Sequence, residues 1–408
     1  MNLAPAKLKR GFHVFSLVFW MFLPSLADAV ENKAWPAPGQ PGQALAVQVD
    51  NRPLLFLGQL LPWDSAGQVR GDARAQAKQV LANLRTALTS AGAKIPDIVR
   101  VNAYVVSDDI SLYFDEVLAE MFASHPVTVS YVRSATVIPG AMLAIDAIAA
   151  LPPAGKKVTL LTIPGFPAPS VGSHGAVLPA GSKIFISGQA EEGKDLRLGS
   201  RNTLASLDRS LEFLKAAKSD VVQVKAFFKP FESRSDLEEE VRAFFSGGPI
   251  PPLVLVEWRS ARPAEIEFVV AGAEKGAAGN DPLRFTSLPG LASTPRYSRA
   301  VIVEGGVPLI FLAGLYGGAD SGAREETKEV FTRLGTLLFE VGSGFRYLVK
   351  GTYYTNASDA SRIFGDIRDV YYDPTRPPAS SGVSVPGVGR PGSSMTLDLI
   401  VTPRPKSP

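Results

Sequence analysis

Cysteine is absent from the 408 residues, and histidine occurs only three times. Without cysteine there is no disulfide framework, no thiol nucleophile and no thiolate metal ligand. The histidines are His13, His125 and His174, and the first lies in an N-terminal segment set apart below. Two remaining imidazoles exclude a three-histidine zinc site and leave a Ser-His-Asp triad little choice of base. No metal or cofactor is expected. An excess of one charge is also missing: 42 Lys and Arg against 39 Asp and Glu give +3. That balance offers no electrostatic case for nucleic acid as a partner.

Long apolar runs are confined to the N-terminus. Lys7, Lys9 and Arg10 precede the run "GFHVFSLVFWMFLPSLADA", which ends in Ala27-Asp28-Ala29. A basic start, an apolar centre and a small-residue end make residues 1–29 a secretory signal peptide, with cleavage expected near Ala29. Pro24 and Asp28 interrupt the run and weigh against a retained membrane anchor. A secreted or periplasmic location follows. Cleavage removes three basic residues and one acid, leaving a chain near +1 with no membrane span.

What is present is repetition. "NRPLLFLGQ" (51–59), "GSKIFISGQ" (181–189) and "GVPLIFLAG" (306–314) are apolar strands that each reach a glycine. "DIVRVNAYV" (97–105), "DVVQVKAFF" (220–228) and "YLVKGTYYT" (347–355) follow. Next come "HPVTVSYV" (125–132), "PPLVLVEW" (251–258) and "PPASSGVSV" (377–385), whose Pro126, Pro252 and Pro378 fall 126 residues apart. "MLAIDAIAAL" (142–151), "EIEFVVAGA" (265–273) and "MTLDLIVTP" (395–403) close the copies. Two amphipathic helices sit inside each copy, as in Val80, Leu81, Leu84 and Leu88, then Phe114, Val117, Leu118 and Met121. The predicted order is β-β-α-β-α-β-β, one sheet with two helices on a face. Pro/Gly-rich joints place the copies at 42–151, 165–273 and 286–404.

These residues resemble the RidA family, also known as YjgF/UK114 or endoribonuclease L-PSP. Its members carry "PYSxAV", "VYxSGQ", "NLxxxLxxAG", "PPARS" and "EIEAIA" in that order. Here stand "RYSRAV" (296–301), "FISGQ" (185–189), "NLRTALTSAGA" (83–93), "RPPASS" (376–381), "AIDAIAA" (144–150) and "EIEFVVA" (265–271). The resemblance implies an α+β, chorismate-mutase-like fold. It also implies that three tandem copies form an intramolecular pseudo-trimer: a monomer with internal pseudo-threefold symmetry and a cleft between each pair of copies.

The chemistry implied by the resemblance is hydrolysis of a 2-imino acid to a 2-keto acid and ammonia. The Arg of "PPARS" binds the substrate carboxylate, and the first Glu of "EIEA" orients water. At the Arg position this chain has Thr128, Val254 and Ser380; at the Glu position it has Ala144, Glu265 and Thr396. Glu265 is therefore the catalytic candidate. Ser187, Gly188, Gln189, Tyr297, Ser380 and Arg390 are the ligand-binding candidates, with the cleft between copies two and three the best furnished. Ser380-Ser381 has no implied base and reads as a polar lining, not a nucleophile. Arg133, Arg259, Arg262 and Arg390 are possible substitutes for the lost Arg, though each can equally be a solvated strand or loop residue. Gln59 and Gln189 read as partners for buried backbone, and His174 as a surface residue. The function expected is binding of a small polar or carboxylate-bearing ligand in degenerate deaminase sites. The alternatives are an imine or enamine deaminase with a substitute Arg, or a structural scaffold.

Overall fold

The computed structural model of the protein describes residues 1, 32–153, 155–272, 281–288, 296–356 and 359–405. Almost all of residues 1–29, where a signal peptide is expected, and most of the joint before the third copy lie outside the described residues. In the first copy the elements are β1 Lys33–Pro36, β2 Ala44–Val49, β3 Leu54–Leu57, α1 Ala73–Ser90, β4 Ile98–Val105, α2 Ile110–Met121, β5 Thr128–Arg133 and β6 Leu143–Ala150. The second repeats them as β7 Thr159–Leu161, β8 Gly175–Leu178, β9 Lys183–Gln189, α3 Leu196–Leu214, β10 Val221–Phe228, α4 Arg234–Phe244, β11 Leu253–Glu257 and β12 Ala264–Ala271. The third has β13 Leu283–Thr286, β14 Ala300–Val303, β15 Leu309–Leu315, α5 Ala323–Glu340, β16 Leu348–Thr355, α6 Ala360–Tyr371, β17 Ala379–Ser384 and β18 Met395–Val401. The fold is α+β, as expected, with one strand more per copy than the sequence pattern shows.

The strand pairing differs from the expected one-copy, one-sheet arrangement. The three six-stranded sheets run β5-β4-β6-β3-β8-β7, β11-β10-β12-β9-β14-β13 and β17-β16-β18-β15-β2-β1. Each sheet takes four strands from one copy and two from another. β8 lies antiparallel to β3 with Leu54 opposite Leu178, and β2 lies antiparallel to β15 with Leu309 opposite Val49. The N-terminal strands thus complete the third sheet and close the ring. Side-chain alternation fixes which face of a strand is buried; it is silent on which neighbour supplies the hydrogen bonds.

Each sheet carries its two helices on one face. Val80, Leu81, Leu84 and Leu88 of α1 pack with Phe114 and Leu118 of α2 over Val101, Ala103 and Ile145. Asp72 and Asp195 cap α1 and α3 by accepting the N–H groups of Ala75 (2.9 Å) and Leu198 (2.8 Å). The opposite faces meet one another. Phe56, Phe185 and Phe311, with Val99, Val222 and Val349, form one apolar cluster drawn from all three copies. Tyr104, Phe227 and Tyr354 belong to a second.

Charged residues also lie buried between the sheets. Arg100 reaches Asp398 (3.3 Å) and donates to the carbonyls of Leu312 and Leu399 (both 2.7 Å). Lys350 pairs with Glu267 (2.8 Å). Burial raises Asp146 above the usual carboxylate range, while Lys225 nearby opposes that shift. In every case a cation of one copy faces an acid of another, so the contacts tie the copies together. Removing one partner of such a pair strands a buried charge, at a cost of about 3–5 kcal/mol.

Candidate functional site

β9 ends in Ser187-Gly188-Gln189, and β17 of the next copy runs beside it. The Ser187 hydroxyl donates to the Ser298 carbonyl (2.5 Å) and accepts the N–H of Ser380 (2.8 Å). It is a structural tie between copies, with both its capacities used. Gly188 is required for a close approach: a Cβ there would overlap the Glu265 carboxyl and come 2.7 Å from the Ser381 hydroxyl. Gln189 donates to the Ser187 carbonyl (2.9 Å), and its side-chain oxygen accepts from Arg299.

Glu265, at the start of β12, is only 8% exposed. Burial, reinforced by the neighbouring charge of Glu267, pushes its pKa up to about 8, with Lys350 and Ser381 opposing. Glu267 behaves in the opposite way. Burial raises it, but Lys350 and Lys225 outweigh burial and hold it below the usual range. At neutral pH Glu265 is therefore a carboxylic acid, able to donate a hydrogen bond, beside an ionised Glu267.

The Ser380-Ser381 pair divides its work. Ser381 donates to Glu267 and accepts from Lys350 (3.2 Å) and from the Gly188 N–H (3.2 Å). Ser380 lines the open cleft, its hydroxyl turned to the Pro378 carbonyl (3.3 Å). No imidazole contacts either hydroxyl among the described residues.

Gly188, Gln189, Glu265, Tyr297 and Ser380 all line one cleft of about 680 Å³ between copies two and three. Ser187 lies behind its wall. Two residues that the sequence reading did not single out join them. Arg299, two places after Tyr297 in "RYSRAV", donates to Ser210 (3.0 Å) and to Ser206 (2.8 Å), and burial lowers its pKa to about 10. Arg368 comes from α6 and packs over the rings of Tyr353 and Phe364 (5.7 and 5.4 Å). The motif position two places after Tyr297 was a signal for Arg299, and the helical stripe through Phe364 and Ile367 was one for Arg368.

Arg390 is not in this cleft. It lies between copies three and one, where it pairs with Asp115 (2.6 Å) and covers the rings of Tyr131 and Tyr316 (4.5 and 5.9 Å). That cleft, of about 370 Å³, has Gly314 and Leu315 where the middle copy has Gly188 and Gln189. The loop bearing Arg390 folds towards the first copy, as the Gly389 N–H to Asp108 bond (3.0 Å) shows. Of the other arginines considered, Arg262 lines the Glu265 cleft but pairs with Glu192 (2.9 Å). Arg259 is exposed, and Arg133 donates to the Val106 carbonyl (3.2 Å).

The cleft between copies one and two holds about 290 Å³ and is mostly apolar, with Trp63, Val137, Ile138 and Leu253 in its walls. Gln59 spans it to exchange two hydrogen bonds with the backbone of Leu255 (2.9 and 3.2 Å), the backbone role expected of it. His174 corrects the surface expectation. It is buried, accepts the Ile163 N–H at Nδ1 (3.1 Å) and places Nε2 3.1 Å from the Pro167 carbonyl, which makes it a structural imidazole. The loop after β7 folds over it, a tertiary contact that local pattern does not encode. Among the described residues no cluster of three or more His, Asp or Glu suits a metal ion, and no helix is long and apolar enough to cross a membrane.

The profile of the family described as Endoribonuclease L-PSP matches residues 39–151. Protein DfrA of Myxococcus xanthus is 32% identical over 106 residues, which span 26% of this chain and 81% of that protein. Among solved structures, YyfB of Yersinia pestis, described as a protein of unknown function in the conserved Rid family, is 28% identical, with TM-score 0.26 and coverage of 30% of this chain and 99% of that one. A putative endoribonuclease from Thermotoga maritima is 26% identical, with TM-score 0.24 and coverage of 29% and 98%. On the strength of the match to DfrA and to the family profile, the chain belongs to the endoribonuclease L-PSP family, the YjgF/RidA group.

Proposed function

We propose that this protein is an exported binder of a small anionic molecule, and that binding takes place in the cleft between copies two and three. One observation carries the reading: Glu265, Gln189, Arg299 and Arg368 line a single cleft, while the other two offer no acid at the Glu265 position. A few convergent polar groups in a walled cleft are what a small ligand needs. Export rests on the signal-peptide pattern of residues 1–29, and a monomer on three copies already closing their own ring.

Hydrolysis of an imine is the second reading, favoured by the retained Glu265. It meets two obstacles. Ser380 stands where the resemblance calls for a carboxylate-binding Arg, and Glu265 is protonated below about pH 8, so it lacks the charge that draws a proton from water. Loss of a bidentate contact made in the transition state costs on the order of 100-fold in rate.

The test uses the purified mature chain. Calorimetry with 2-oxobutanoate is expected to show saturable binding, and 2-iminobutanoate is expected to hydrolyse at its uncatalysed rate. Turnover matching that of an Arg-bearing family member would replace binding by catalysis. Neither binding nor turnover would leave the scaffold reading.

A further inference from the structure

Four arginines line this cleft, and three of them are already satisfied. Arg262 is paired with Glu192 (2.9 Å), and Arg296 with Asp369 (3.0 Å). Arg299 has its nitrogens on Ser206, Ser210 and Gln189. Arg368 differs. It is 8% exposed, and its Nε is buried without a hydrogen-bond partner. None of its nitrogens makes a hydrogen bond among the described residues, and the nearest acid, Asp369, stands 3.8 Å from Nε on the same helix, already engaged by Arg296. The guanidinium is framed by three rings, those of Tyr353, Phe364 and Tyr372, at 5.7, 5.4 and 5.9 Å.

A buried cation with unused donors is costly unless something completes it. Aromatic faces relieve part of the charge but accept no directed hydrogen bond. A planar guanidinium in such a frame matches a two-oxygen anion, which takes two parallel N–H donors. The same cleft holds Ser380, in the strand position where the resemblance calls for Arg.

We propose that Arg368, reaching in from helix α6, is the anion anchor of the cleft between copies two and three, and that its ligand is a small carboxylate. The proposal rests on that cleft being a ligand site and adds the group that recognises the ligand. The carboxylate sits against the guanidinium, and Glu265 across the cleft serves as donor to a second, neutral oxygen or nitrogen of the same molecule. A carboxylate with an adjacent carbonyl or imine group fits both.

Calorimetry on the mature chain tests this with 2-oxobutanoate and inorganic phosphate as probes. Arg368→Met is expected to weaken 2-oxobutanoate binding by roughly 10- to 100-fold, the usual cost of a charge-assisted pair. Should Arg368→Met disturb folding, as its thermal melt would show, Arg368→Lys carries the test, since it keeps charge but loses the fork; roughly 5-fold weaker binding is expected. Wild-type affinity in a folded Arg368→Met or in Arg368→Lys overturns the anchor. If Glu265→Gln still weakens binding in that case, the cleft reading stands and only the anchor falls. Phosphate binding more tightly than 2-oxobutanoate overturns the carboxylate assignment. No binding of either probe by the wild type removes both the anchor and the cleft.

Discussion

Arg390 and Arg368 are largely buried arginines in different clefts, and they are in opposite states. Arg390, between copies three and one, is neutralised by Asp115 at 2.6 Å and capped by Tyr131 and Tyr316. Arg368, between copies two and three, has aromatic neighbours and no acid closer than 3.8 Å. The acids differ as well: the third copy has Thr396, its hydroxyl donating to the Leu315 carbonyl (3.0 Å), where the middle copy has Glu265. An arginine in a cleft is a recognition group only while its charge is unspent. By that measure the first of these clefts is an internal joint, and the second is the proposed site.

The largest expected effect that separates the two is a pH dependence. Glu265 has a folded-state pKa of about 8 against an ordinary 4.5. The folded state then binds more protons than the unfolded state between those values, so stability falls as pH rises from about 4.5 through 8. The full swing is about 5 kcal/mol for one such group. Glu267 is shifted the other way, so its contribution is lost only at lower pH and leaves this window clear. Denaturant unfolding at pH 5, 7 and 9 is expected to show wild type losing ground to Glu265→Gln as pH rises. Parallel profiles for the two would remove the special character of this cleft.

Next in size is Gly188→Ala. Its Cβ collides with the Glu265 carboxyl, so the expected cost is about 1–3 kcal/mol together with loss of 2-oxobutanoate binding. An unchanged melting curve and affinity would mean that Glu265 does not sit against Gly188.

Arg390→Ala sharpens the contrast from the other side. Asp115 loses a charged partner but keeps Gln43 (2.7 Å) and Tyr131, so a loss of about 1–2 kcal/mol is expected, with ligand affinity unchanged. A drop in affinity comparable to that of Arg368→Met would return Arg390 to the site.

Thr128→Ala is the smallest change. It removes a hydroxyl bonded to the Val99 carbonyl (2.7 Å), worth about 1 kcal/mol, and is expected to leave binding untouched.

Much of this was legible in the sequence. Period-2 and helical patterns gave the element order, and the ordered motifs placed Glu265, Gly188, Gln189, Tyr297 and Ser380 around one cleft. Three things were not. The exchange of β2, β8 and β14 between copies leaves no mark on side-chain alternation. Arg100 and Lys350 occupy strand positions that read equally well as solvent-facing, and only the meeting of three sheets buries them. Arg368 shares the buried stripe of α6 with Ala360 and Phe364, but a charge in a helical pattern is ordinarily read as facing water. Its burial arises from the rings of Tyr353 and Tyr372, one on a strand and the other just past the end of α6.

The contrast between clefts is tested most directly by a crystal structure of the mature chain soaked with 2-oxobutanoate. One molecule per chain is expected, with its carboxylate on Arg368 and its remaining oxygen facing Glu265. Ligand density in the cleft of Arg390 or in that of Trp63, with the Glu265 cleft empty, would contradict the assignment.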